Sequence, residues 1–198
     1  MTWVKLCGMR TRADVEAAEA AGADAVGFVV VSGSPRSVSP DEARRAGEGT
    51  AIDRFVLTVG LDPDAVLEVA AAAGATGVQP YGEHAGEAAR AAVASGLRVL
   101  FPIRVSGPPD LSAVPEGAVP LLDTAVPGVY GGTGRSFDWS LAAGIGRELV
   151  IAGGLHSGNV AEAVRVARPW GVDVSSGIES APGVKDHEEM RRFVEALR

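Results

Sequence analysis

Eight short apolar runs alternate with alanine-rich stretches along the chain, and this alternation limits its possible folds more than any other feature. Several runs are continuously apolar, which is typical of parallel strands covered on both faces. Over 198 residues their mean spacing is roughly 25 residues, about the minimum for a (β/α)8 barrel. We therefore predict an α/β protein with one (β/α)8 TIM barrel domain over residues 1–198. The predicted strands are Val4–Cys7, Ala25–Val31, Arg54–Val59, Gly77–Gln79, Arg98–Ile103, Val119–Asp123, Leu149–Ala152 and Val172–Val174.

The stretches between the runs carry helix signals. Thr11 precedes the first helix as a capping side chain, and Ser39-Pro40 and Asp62-Pro63 precede the next two. Three prolines in Ser106–Glu116 predict a degenerate or missing helix after the fifth strand. The predicted helices are Arg12–Ala21, Pro40–Gly47, Asp64–Ala73, Gly86–Ser95, Trp139–Ala143, Ser157–Ala167 and Lys185–Leu197.

An open doubly wound sheet is the alternative architecture. Eight strands exceed its usual number, and the first turn after a strand, Cys7-Gly8-Met9-Arg10, lacks the G-x-G-x-x-G fingerprint of dinucleotide-binding folds. Both observations favour the barrel.

Charge and cysteine content narrow the possible partners. The net charge of -7 disfavours nucleic-acid binding, so an anionic substrate must be held by a local group of residues. A single cysteine cannot form an internal disulfide, and nothing points to an oxidising compartment. The first residues lack the apolar stretch of a signal peptide, and no run approaches membrane-spanning length. We expect a cytoplasmic protein without a membrane partner.

Two reactive side chains end predicted strands. Cys7 closes the first apolar run and Asp123 closes the sixth. A free cysteine is most often a small buried apolar residue, and an aspartate after a strand often begins a loop. Barrel enzymes, however, place their chemistry at the carboxyl ends of strands, where a thiol and a carboxyl could serve as general base and general acid. An apolar setting would raise the pKa of Asp123 and favour its protonated form.

Glycine-rich segments follow the last three predicted strands. Gly131–Gly134 follows the sixth strand, Gly153-Gly154 the seventh and Ser175-Ser176-Gly177 the eighth. The last two predict a phosphate pocket made of backbone N–H groups, as is usual at this position in barrels. The three histidines show no metal-ligand spacing, and we assign no metal to them: His84, His156 and His187.

Taken in order, several segments resemble the phosphoribosylanthranilate isomerase family of the tryptophan pathway. The resemblance runs nearly end to end, with the segments in the right order and at the right spacing. The segments are Lys5-Leu6-Cys7-Gly8, Ser34-Pro35-Arg36, Leu122-Asp123, Gly131-Gly132-Thr133-Gly134, Ala152-Gly153-Gly154-Leu155 and Val172–Glu179.

The resemblance implies an Amadori rearrangement of N-(5'-phosphoribosyl)anthranilate without cofactor or metal. It implies that Cys7 is the general base, that Asp123 is the general acid, and that Arg36 clamps the anthranilate carboxylate. It places Gly132 in a mobile loop that covers the substrate. The further predicted substrate-binding residues are Lys5, Gly153, Gly154, Ser176 and Gly177.

The segment after the fourth predicted strand departs from the family pattern. The family typically has Gln-Leu-His-Gly where this chain has Gln79-Pro80-Tyr81-Gly82. This difference bears on substrate fit and rate. It keeps open a sugar-phosphate isomerase with a shifted substrate, or a non-catalytic phosphate-ligand-binding paralogue. The related histidine-pathway isomerase typically uses two aspartates, so Cys7 argues against it. The sequence leaves open whether the protein is a monomer or a homodimer.

Overall fold

A computed structural model describes residues 1–124 and 136–198 of the chain. Eight parallel strands form a closed barrel in sequence order, which confirms the TIM barrel and excludes the open sheet. Closure comes from β1, which pairs with β2 on one side and with β8 on the other. The strands are β1 Trp3–Cys7, β2 Ala25–Val29, β3 Asp53–Val59, β4 Gly77–Tyr81, β5 Arg98–Val105, β6 Val119–Thr124, β7 Val150–Ile151 and β8 Gly171–Val174.

Six α-helices lie in the described part of the chain. Capping boxes begin the first two, where the Thr11 and Ser39 side chains accept hydrogen bonds from the backbone N–H three residues on. None of these helices is long and apolar enough to cross a membrane. The helices are α1 Arg12–Ala21, α2 Pro40–Gly47, α3 Pro63–Ala73, α4 Ala85–Ala94, α5 Val160–Ala167 and α6 His187–Glu195.

The connections on either side of β6 lack full α-helices among the described residues. Residues 106–118 form turns, so the missing helix after β5 is confirmed. The predicted helix at Trp139–Ala143 is instead a 3-10 helix over Trp139–Ala142. In this helix the backbone hydrogen bonds span three residues, as in the bond that the Ala143 N–H donates to the Ser140 carbonyl. At its start the Asp138 carboxylate accepts a hydrogen bond from the Ser140 N–H.

A small antiparallel hairpin follows β8 and was not predicted from the sequence. It consists of β9 Glu179–Ala181 and β10 Val184–Lys185. The predicted start of the last helix at Lys185 is wrong. Asp186 caps the N–H groups of the first turn, so α6 begins at His187. Gly183 turns the hairpin at a φ of +79° and packs directly against the carbonyl oxygen of Pro35 in the loop after β2.

The barrel interior is filled in successive levels. At the amino ends of the strands, Trp3 stacks on Trp170 with ring centroids 4.9 Å apart, and both rings pack against an apolar cluster. Three buried polar side chains occupy the next level: Lys5, Gln79 and Asp173. The side chains nearest the carboxyl ends include those of Cys7, Leu57, Tyr81 and Asp123. Among the described residues, the barrel interior is therefore packed toward the amino ends of the strands and open toward the carboxyl ends, where the reactive groups lie.

Candidate active site

A cavity opens at the carboxyl ends of the barrel strands. Its empty volume is about 710 Å³, which includes space open to solvent. The structure brings most of the predicted site residues into its wall, together with Tyr81. Those residues are Cys7, Arg36, Asp123, Gly153, Gly154 and Ser176.

The Cys7 thiol lies at the tip of β1 and is only 4% exposed. Gly27 on the neighbouring strand makes room for it, since a Cβ there would lie 2.7 Å from Sγ of Cys7 and 3.1 Å from Nζ of Lys5. Burial raises the pKa of the Cys7 thiol, whereas the positive charges of Lys5 and Lys185 oppose this rise. The thiol form of Cys7 therefore predominates at neutral pH.

Lys5 lies beneath the cavity rather than in its wall. Its ammonium is fully buried and donates to Oδ1 of Asp173 at 2.9 Å and to Oε1 of Gln79 at 3.0 Å. The Gln79 amide in turn donates to the Tyr81 hydroxyl at 3.0 Å. The structure therefore separates Lys5 from the other predicted substrate-binding residues. Its position suits electrostatic support of Cys7 better than contact with a ligand.

Asp123 is the penultimate residue of β6, on the opposite side of the cavity from β2, and is 4% exposed. Burial, with the negative charge of Asp173, raises its pKa to about 6 against the lowering effects of the Thr124 N–H and Arg104. Gly153 allows the loop after β7 to pass close by, since a Cβ there would lie 2.9 Å from Oδ1 of Asp123. A carboxyl with such a pKa holds a proton in part at neutral pH and can donate it.

Arg36 reaches the cavity from the loop after β2. Its Nε and Nη2 each donate to a carboxylate oxygen of Glu179 at 2.8 Å. Lys185 donates to the same carboxylate at 2.7 Å. Among the described residues Nη1 of Arg36 has no hydrogen-bond partner, so one edge of the guanidinium is available to an anionic ligand. Sequence reasoning assigned no role to Glu179, because 143 positions separate it from Arg36.

The predicted phosphate residues occupy two adjoining loops. Gly153 and Gly154 follow β7, and Ser176 follows β8, all in the cavity wall. Gly177 is not in that wall; a Cβ there would collide with the Leu155 carbonyl, so glycine lets the two loops touch. Gly132 lies outside the described residues. Within the described ranges no group of three or more histidine, cysteine or acidic side chains could hold a metal ion.

A closed (β/α)8 barrel with a buried thiol, a carboxyl of raised pKa and an arginine around one cavity defines a barrel enzyme equipped for acid–base chemistry. The family model described as N-(5'-phosphoribosyl)anthranilate (PRA) isomerase matches residues 4–196. The chain belongs to this family, and it is an isomerase of tryptophan biosynthesis. A histidine-pathway activity is not favoured.

Individual relatives agree with this assignment over nearly their full lengths. A curated N-(5'-phosphoribosyl)anthranilate isomerase from Acidithiobacillus ferrooxidans is 42% identical, with 100% of this chain and 98% of the relative covered. The crystal structure of the Thermus thermophilus phosphoribosyl anthranilate isomerase has a TM-score of 0.88 at 33% identity, covering 99% and 98% of the two chains. A third relative, solved in complex with reduced 1-(o-carboxyphenylamino)-1-deoxyribulose 5-phosphate, has a TM-score of 0.82 at 34% identity over the same shares.

Proposed function

We propose that this chain converts N-(5'-phosphoribosyl)anthranilate to 1-(2-carboxyphenylamino)-1-deoxyribulose 5-phosphate with Asp123 as general acid and Cys7 as general base. The observation that carries these roles is that a carboxyl with a pKa of about 6 and a buried thiol line one cavity in an isomerase of this family. The complex of a solved relative with a reduced form of that product supports the ligand class.

The reaction needs two proton transfers and a final tautomerisation. Asp123 protonates the furanose ring oxygen, the C1–O bond breaks, and the anthranilate nitrogen lone pair forms an iminium with C1. The Cys7 thiolate then removes the proton from C2. The C2–H electrons form a C1=C2 double bond, and the π electrons of the iminium return to nitrogen, which gives an enolamine. Tautomerisation adds a proton to C1 and removes one from the C2 hydroxyl, which yields the ketone. The substrate nitrogen is the electron sink, so the proposed route requires no cofactor.

The charge developed during the first step assists the second. Ring opening creates a cationic iminium next to C2, and a nearby positive charge favours the thiolate form of Cys7. Lys5 and Lys185 act in the same direction before the substrate binds.

Arg36 holds the anthranilate carboxylate, and Gly153, Gly154 and Ser176 hold the phosphate through loop N–H groups and a hydroxyl. A cytoplasmic location stays part of this proposal, supported by the lone cysteine.

The decisive experiment follows the loss of anthranilate-type fluorescence when purified protein meets freshly generated phosphoribosylanthranilate. Cys7→Ala and Asp123→Asn should each lower kcat by about 10²–10⁴-fold, since each removes one positioned proton-transfer group. Asp53→Asn is the matched control, because Asp53 is an aspartate at the amino end of β3, where it pairs with Arg98.

Retention of activity in the control shows that losing an aspartate is not in itself damaging. Turnover within tenfold of the native rate in Cys7→Ala or Asp123→Asn would contradict the corresponding role. Binding without turnover in the native protein would indicate the non-catalytic alternative.

A further inference from the structure

The Glu179 carboxylate is the shared partner of two cations beside the cavity. Its side chain is 4% exposed, and it accepts both hydrogen bonds from Arg36 as well as one from Lys185. Burial alone would raise the pKa of Glu179, but the hydrogen bonds from Arg36 and Lys185 outweigh it and hold the pKa below its usual value. Glu179 is therefore ionised at neutral pH.

The hairpin that carries Glu179 is fixed to the rim of the barrel. Lys185 donates to the Ser175 carbonyl at 2.9 Å, and Arg10 donates to the Gly183 carbonyl at 3.3 Å. Gly183 also packs against Pro35, next in sequence to Arg36. The hairpin thus holds the carboxylate at a set position relative to the loop after β2.

The two-point contact fixes the plane of the Arg36 guanidinium. An arginine side chain otherwise loses substantial rotamer freedom when it binds a ligand, and a preorganised partner removes that cost beforehand. The pairing uses Nε and one edge of the group, which leaves Nη1 for another acceptor. Two cations and one carboxylate leave this cluster with one net positive charge, so Glu179 orients Arg36 without cancelling its attraction for an anion.

We propose that Glu179 is a positioning residue that sets the Arg36 guanidinium for the aromatic carboxylate of the substrate. This inference rests on the proposed function, in which Arg36 contacts that carboxylate. It assigns to the hairpin after β8 a role in selecting an ortho-carboxylated aniline over an uncarboxylated one. Glu179 acts through Arg36 and does not touch the reacting atoms.

The test compares two ligands that differ only in the carboxylate: reduced 1-(o-carboxyphenylamino)-1-deoxyribulose 5-phosphate and its phenylamino analogue. Their Kd values are measured by calorimetry on the native protein, Glu179→Gln, Glu179→Asp and Arg36→Met. Glu188→Gln serves as the control, since Glu188 pairs with arginines on the exposed face of α6. The uncarboxylated ligand keeps the sugar phosphate, so its binding reports that each variant retains a folded site.

The native protein should prefer the carboxylated ligand, and Arg36→Met should abolish that preference. Glu179→Gln should reduce it about 10- to 100-fold while changing the Kd of the uncarboxylated ligand less than about threefold. Glu179→Asp should give a smaller loss, because the charge remains but the shorter side chain breaks the two-point contact. Steady-state assays should show the Glu179→Gln loss in KM rather than kcat.

Three results would overturn the inference, and they separate its failure from that of the proposed function. An unchanged preference in both Glu179 variants, with a lost preference in Arg36→Met, would refute the positioning role alone. An unchanged preference in Arg36→Met would refute the carboxylate contact itself, and the role of Glu179 would fall with it. A loss of both ligands in Glu179→Gln, with Glu179→Asp native-like, would also refute it, since that pattern indicates a structural role.

Discussion

Asp123 and Cys7 titrate in the reverse of the order that their proposed roles require. The acid has a pKa of about 6, whereas burial holds the pKa of the base above the usual thiol range. Near neutral pH most molecules therefore carry the carboxylate and the thiol, and a minor population carries the reactive carboxyl and thiolate. The two populations contain the same number of protons, so their ratio does not change between the two pKa values.

This order predicts the shape of the pH profile of kcat/KM, which reports the pKa values of the free enzyme. Below about pH 6 the rate should rise tenfold per pH unit, because Asp123 is protonated and the thiolate fraction of Cys7 grows. Above that it should be flat, since each gain of thiolate is offset by loss of the Asp123 proton, and it should fall only above the pKa of Cys7. The measurement uses limiting substrate, and the titration of the substrate phosphate near pH 6 is determined separately and divided out. A steady fall above pH 6 would contradict Cys7 as the base.

The same carboxyl should make the stability of the protein depend on pH. Its folded-state pKa of about 6 lies above the ordinary value, so the fold disfavours the charged form. The destabilisation is absent below about pH 4, develops as pH rises through 6, and reaches about 2–3 kcal/mol. Asp123→Asn should therefore unfold at higher urea than the native protein by a margin that is larger at pH 8 than at pH 4.5. An equal margin at both pH values would contradict this.

Along the chain, local signals predicted the helices more accurately than the hairpin. The bounds of α1 and α2 agree with the prediction because capping boxes and Pro40 mark their starts within a few residues. The hairpin carries only five strand residues, and its fixation depends on contacts with Pro35 and Arg10, far away in sequence. The role of Glu179 was missed for the same reason, since its partner Arg36 is 143 positions away in the sequence. Cys7 and Asp123 were predictable because each lies at the carboxyl end of a strand.

The turn of the hairpin should matter for binding more than for folding. Gly183→Ala forces a Cβ into the Pro35 carbonyl and should displace Glu179 relative to Arg36. The altered contact should raise KM about three- to tenfold. Gly144→Ala is the matched control: its φ is +74° against +79°, but a Cβ there meets nothing within 4 Å. Both variants should lose about 1 kcal/mol of stability to backbone strain. Steady-state kinetics and urea unfolding check both outcomes, and an equal KM in the two variants would contradict the first.

The two ends of the barrel have different tasks. The amino end is closed by the Trp3–Trp170 stack, with the Arg98 guanidinium 5.6 Å from the Trp3 ring and 6.0 Å from the Trp170 ring. The six predicted site residues that line the cavity lie at the carboxyl end, as is general for this fold. The sequence could predict the second arrangement from strand ends, but it could not predict the aromatic stack, which joins β1 to the residue directly before β8.

Changes at the amino end should therefore alter stability and leave catalysis intact. Trp170→Ala removes the stacked ring and its cation–π contact, and it should cost about 2–4 kcal/mol in the free energy of unfolding. The kcat and KM should stay within about twofold of the native values at temperatures where the variant is folded. Urea unfolding and the fluorescence assay measure both quantities, and a tenfold fall in kcat would show that the two ends are coupled.

The pairing of β1 with β8 has a consequence for synthesis. Cys7 and Arg36 are synthesised more than 100 residues before Asp173, Glu179 and Lys185, which complete their surroundings. A nascent chain that has not yet reached β8 thus holds the base and the arginine without these charged partners. Activity should consequently require synthesis through the hairpin, and proteolytic loss of β8 and the hairpin should abolish it instead of leaving a partly active fragment.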